Sequence, residues 1–157
     1  MRTTTTLLIG IAALVLTAGG CAFDRQYNVA KAQSQPEHDI TGVWQGRWVS
    51  EATGHSGKLR CIVTPLPDED GSLTPEGKRR YKAWFHATWA AVLSGTYHIE
   101  LIAEPKADTV HFAGSADLGW LAGGVYETEG QATGERWEST YRSKHDHGRF
   151  EMTRPEP

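Results

Sequence analysis

From residue 40 onward, apolar and polar residues alternate with a period of two in eight short runs. Trp44, Gly46 and Trp48 share one face of the first run, and Leu59, Cys61 and Val63 one face of the second. Tyr81, Ala83, Phe85 and Ala87 follow in the third, Tyr97, Ile99 and Leu101 in the fourth, Val110 and Phe112 in the fifth. Tyr126 and Thr128 mark the sixth, Trp137, Ser139 and Tyr141 the seventh, Phe150 and Met152 the eighth. Positions of the other parity carry charge, among them Lys58, Arg60, Lys82, Glu100, Glu127, Glu129, Arg142 and Glu151. Neighbouring side chains of an extended strand point to opposite faces, so this pattern predicts antiparallel strands with one buried and one wetted side. Turn formers separate the runs: Pro67-Asp68-Glu69-Asp70-Gly71, Pro105-Lys106-Ala107-Asp108 and Thr133-Gly134. Helical spacing is not sustained anywhere. The expected fold class is all-β, a small eight-stranded antiparallel up-and-down barrel, because closing the sheet removes its exposed edges. A β-sandwich is the alternative.

The region ahead of the strands has a different character. Met1-Arg2 supplies a positive charge, and Leu7 to Thr17 is an apolar run of 11 residues with one glycine. Spanning a bilayer takes ~20 residues, so the run reads as the core of an export signal. It ends in Leu16-Thr17-Ala18-Gly19-Gly20-Cys21, which resembles the lipobox of bacterial lipoproteins. The resemblance implies that residues 1–20 are a removable signal peptide and that Cys21 is acylated by fatty acids such as palmitate. An ordinary secretory leader followed by a chance cysteine is the other reading. Residues 21–39 are polar without periodic apolar positions and read as a lipidated cysteine followed by a flexible tether. The barrel domain is expected over 40–155. The resemblance also implies a cell-envelope location. Ala22, rather than aspartate, follows the cysteine, which favours the outer membrane facing the periplasm over the inner membrane. With Cys21 so used, Cys61 has no disulfide partner and reads as a small buried apolar residue.

The first strand opens with Gly42-Val43-Trp44-Gln45-Gly46. This is similar to the Gly-x-Trp opening of lipocalins and avidins, and to the Gly-x-Trp-x-Gly opening of nitrobindin-like haem barrels. The resemblance covers about five residues and implies architecture, not a ligand. It also implies that a late arginine, Arg142 or Arg154, stacks on Trp44.

Charge narrows the partners. The chain of 157 residues holds 16 Lys and Arg against 19 Asp and Glu, a formal net charge of −3. Its basic block, Lys78-Arg79-Arg80, sits beside Asp68, Glu69, Asp70 and Glu76, so a nucleic-acid partner is not expected. There is no Gly-x-Ser-x-Gly elbow, phosphate loop, His-Glu-x-x-His or paired Cys-x-x-Cys. The protein is not expected to be an enzyme or to need a cofactor.

In an up-and-down barrel, alternate loops gather at opposite ends. One set is bland and charged. The other brings together His55, Trp89, Leu93, Asp117, Trp120, Leu121, His145, Asp146 and His147. Loops on a rigid frame are the usual place for binding residues, so His55, Trp89, Asp117, Trp120, His145, Asp146 and His147 are the candidate site. Trp89 and Trp120 serve equally well as plugs of the barrel mouth. His145-Asp146-His147 reads either as a chelate or as a tight turn before Gly148. The leading expectation is a membrane-anchored interaction module whose loop end holds an envelope protein, a lipid or a small apolar molecule. The alternatives are a structural envelope protein with a filled core and a haem- or metal-binding barrel. Strand counting further implies that a tether joining at Ile40 leaves from the bland end, with the histidine-bearing loops facing away from the membrane.

Overall fold

The computed structural model describes residues 20–33, 36, 39–67, 77–89, 93–119 and 124–156. Eight strands follow in chain order: β1 (Gly42–Ser50), β2 (Ser56–Pro65), β3 (Arg79–Trp89), β4 (Leu93–Lys106), β5 (Thr109–Asp117), β6 (Val125–Ala132), β7 (Arg136–Arg142) and β8 (His147–Thr153). Each pairs antiparallel with the next. β1 then pairs with β8 from Gln45–Thr153 to Ser50–Gly148, closing the sheet into an up-and-down barrel. That pairing excludes the sandwich.

The parity read from the sequence is the parity of the wall. Trp44, Trp48, Leu59, Cys61, Val63, Tyr81, Ala83, Phe85, Ile99, Leu101, Phe112, Trp137, Tyr141, Phe150 and Met152 form one buried cluster inside. An eight-stranded barrel is just wide enough for side chains to fill, and aromatic rings fill this one. Trp137 lies 4.1 Å from Phe112 and 5.5 Å from Trp44, centroid to centroid. Nearer the other mouth, Phe150 packs on Tyr141 at 4.9 Å and on Phe85 at 5.6 Å. Gly46 shares the parity of Trp44 and Trp48 but is itself exposed, and it lies where β1 and β8 pair. A Cβ there would collide with the Glu151 carbonyl and the Met152 backbone, so the second glycine of the opening motif has a steric reason.

Trp44 closes one end. Its ring is fully buried, and its indole N–H donates to the Ile40 carbonyl at 2.9 Å. The Arg154 guanidinium lies 3.7 Å over the ring. Arg154 also donates to the carbonyls of Asp39 (2.9 Å), Gly134 (3.2 Å) and Val43 (3.3 Å). Burial lowers its pKa to about 10. Of the two late arginines, Arg154 therefore makes the stack, while Arg142 is exposed on the outward face of β7.

Within 21–39, read from the sequence as a flexible tether, the described residues up to 31 are helical. Residues 20–31 form a helix, α1, docked on the outer wall. Phe23 and Tyr27, one turn apart, are 0% and 4% exposed, and Ala30 continues the same stripe. The stripe meets Val43, Ile62 and Trp84, three outward-facing residues in one row, since Val43 pairs with Ile62 and Ile62 with Trp84. Phe23 also stacks on His86 at 5.2 Å. Arg60 bridges Asp24 at 2.6 Å and lies 5.3 and 5.2 Å from the rings of Phe23 and Tyr27. Two aromatics in an otherwise polar stretch are too short a pattern to register as amphipathic. The wall they cover supplies the missing half of the signal.

Two outcomes follow from this packing. Trp44→Ala should destabilise the protein by about 3–5 kcal/mol in chemical denaturation, and an unchanged midpoint would remove Trp44 from the core. Burial, and next the Arg60 guanidinium, hold the His86 pKa below its usual 6.5. The docked state then binds fewer protons than the undocked one. Docking is fully favourable above pH ~6.5 and weakens as pH falls through the depressed pKa. Amide protection factors across residues 22–31 should therefore drop on acidification, and drop less in His86→Gln.

Candidate functional site

Antiparallel succession places the C-terminal ends of β1, β3, β5 and β7 and the starts of β2, β4, β6 and β8 at one end of the barrel, and the remaining strand ends at the other. His55, Trp89, Asp117, His145, Asp146 and His147 thus belong to one end, as expected, while Trp120 and Leu121 lie outside the described residues. They do not form one cluster. The connections 51–55 and 143–146 are joined, because β1 and β8 are neighbours; Asp117 stands on the far side, at the end of β5.

Asp146 holds the joint. One carboxylate oxygen accepts the Ser50 hydroxyl at 2.6 Å and the other the Tyr141 hydroxyl at 3.1 Å. Ser50 in turn accepts from the backbone N–H of Thr53 at 3.1 Å, and the Glu51 N–H donates to the His147 carbonyl at 2.8 Å. Ser143 shapes the turn, its hydroxyl oxygen accepting the N–H of Asp146 at 3.0 Å and its own N–H donating to the Asp146 carbonyl at 2.7 Å. Burial and the neighbouring Asp146 carboxylate push the Tyr141 phenol well above its ordinary range, so it stays protonated and donating. Asp146 is committed to structure, with His145 and His147 exposed on either side of it. Asp146 thus builds a tight turn between the two histidines. Among the described residues, no three His, Cys, Asp or Glu side chains converge to hold a metal ion.

Asp117 is likewise a turn maker. Its carboxylate accepts the Gly119 N–H at 2.9 Å, and Gly119 takes a φ of 80°, a conformation open to glycine. Trp89 does two jobs. Its ring packs 6.2 Å from Trp48 and against Gly95, while 41% of it remains exposed at the rim. Leu93, its cross-strand partner, is 59% exposed, and Val125 at the start of β6 is 52% exposed. Val125 escaped the sequence reading because it has the outward parity of its strand.

The remaining candidate, Cys21, is exposed on α1. Cys61 lies inside the barrel, where burial pushes its thiol well above the ordinary range, so it is inert. A broad open depression of ≈ 1540 Å³ runs over β4 to β7, but its lining includes Glu100, Glu104, His111, Glu127 and Glu129, the wet face of the sheet. Compared with protein-family models, curated proteins and solved structures, the chain matches none.

Removing the Asp146 carboxylate takes away the acceptor of the Ser50 and Tyr141 hydroxyls. Asp146→Ala should cost about 1–3 kcal/mol and raise amide exchange over residues 143–147, whereas His145→Ala should change stability by less than ~0.5 kcal/mol. Equal effects of the two substitutions would contradict the structural role of Asp146.

Proposed function

We propose that this protein is a lipid-anchored component of a bacterial cell envelope whose barrel acts as an interaction module through its loop end. The observation that carries the reading is the filled interior. Trp44, Phe85, Phe112, Trp137, Tyr141 and Phe150 occupy the volume in which a hollow barrel would enclose a ligand. Carriage of a small apolar molecule or haem inside the barrel is therefore disfavoured, and recognition falls to the surface. On that surface the loop end combines a fixed frame, clamped by Asp146, with exposed apolar and imidazole side chains. A hydrolytic role has little support, because the Asp146 carboxylate is taken up by Ser50 and Tyr141 rather than by a histidine.

The anchor rests on Cys21 and the apolar run before it. Two or more acyl chains hold a protein at a membrane, whereas one binds marginally. Cys21→Ser, expressed as the full chain, should abolish labelling by a fatty-acid precursor and move the protein from the membrane to the soluble fraction. Membrane association and labelling unchanged in that variant would overturn the lipoprotein reading.

A further inference from the structure

We propose that α1 turns the loop end of the barrel toward the bilayer, so that the exposed rim formed by Trp89, Leu93 and Val125 rests on the lipid surface. The inference rests on acylation of Cys21 and adds to it an orientation and a partner. Joined to the barrel by a free tether, Cys21 would leave the domain beside Ile40, at the end closed by Trp44. The docked helix carries it elsewhere. Tyr27 reaches the Trp44 carbonyl on β1 at 3.5 Å, and Ala30 packs against the cluster that Tyr27 forms with Phe23, Val43 and Ile62. Phe23 stacks on His86, and a Cβ on Gly20 would lie 3.9 Å from the His86 ring nitrogen. The helix thus runs back along the wall from β1 to β3, and Cys21 emerges at the level of His86.

His86 is three residues from the end of β3 at Trp89 and seven from its start at Arg79. At ~3.3 Å per residue, Cys21 stands roughly 10 Å from the loop end and roughly 23 Å from the other. Acyl chains on a residue of a docked helix bring the wall itself against the bilayer, with no slack to hold the barrel off.

The distribution of exposed apolar side chains agrees with this placement. Of five large ones among the described residues, Trp89 (41%), Leu93 (59%) and Val125 (52%) ring the loop end. Val29 lies on α1 and Ile102 on the outer face of β4. The opposite end presents Lys106, Asp108, Glu135 and Arg136, and Arg79 paired with Asp39 at 3.6 Å. Tryptophan at the rim suits a membrane interface, where an amphipathic ring has one apolar side and one wet side.

The test uses the acylated full chain, purified in detergent and reconstituted on vesicles of phosphatidylethanolamine and phosphatidylglycerol, with or without lipid brominated on its acyl chains. An environment-sensitive fluorophore is placed at Leu93→Cys or Val125→Cys on the loop rim, or at Asp108→Cys at the far end. Emission from the rim labels should shift to shorter wavelength and be lost to brominated lipid, while the label at 108 stays aqueous and unquenched. Adding Phe23→Ala and Tyr27→Ala to undock α1 should reduce quenching at position 93 and leave vesicle flotation unchanged. Protein that floats with its rim labels aqueous, or with only the label at 108 quenched, would overturn the orientation and leave the anchor standing. Protein that fails to float would overturn the anchor and the orientation together.

Discussion

Closure of the sheet through the β1–β8 pairing is the constraint on which the rest of the molecule depends. Once eight strands close, every inward position faces another across a narrow interior, and no free strand edge remains to be protected. The interior must then be filled, and the inward parity of all eight strands supplies rings and branched side chains to fill it. The same closure sorts the loops into two ends. It also brings the first and last strands together, so Arg154 can lie on Trp44 and Ser50 can reach Asp146. Two contacts distant in sequence, one at each mouth, are consequences of one pairing.

The two mouths are finished differently. At the Trp44 end, a buried aromatic ring is sealed by a cation that spends its donors on backbone carbonyls. At the other, polar groups hold the loops: a carboxylate with two hydroxyl donors, and a serine that organises a turn. This polar clamp leaves Trp89 only partly covered and leaves the neighbouring histidines in solvent. One end is therefore built to be closed and the other to be presented. The outer wall carries a further asymmetry, because Val43, Ile62 and Trp84 break the wetted face over β1 to β3 and are covered by α1. That covering converts a length of chain that would otherwise only separate Cys21 from the barrel into an element that sets where Cys21 lies.

Alternation alone determined the strands, their inward faces and the all-β class, because each strand has one wet side and the period-two signal is local. Closed topology also determined which strand ends share a mouth, so the placement of His55, Trp89, Asp117, His145, Asp146 and His147 at one end was legible in the sequence. What those residues do was not. Asp146 reads in the chain as the residue between two histidines of either a chelate or a tight turn; Tyr141 reaches it within the β7–β8 hairpin, but Ser50 reaches it only because β1 closes on β8. Asp117 reads as an acid at the loop end, but its hydrogen bond to the Gly119 N–H is a matter of turn geometry. The helix was illegible for the same reason. Phe23 and Tyr27 signal little among polar neighbours, and Val43, Ile62 and Trp84 look like lapses in alternation on three separate strands. Only the barrel's register places those three in one row, and only that row gives the two aromatics a surface to bury. Local periodicity is written along the chain. A surface assembled from strands far apart in sequence exists only once they are paired.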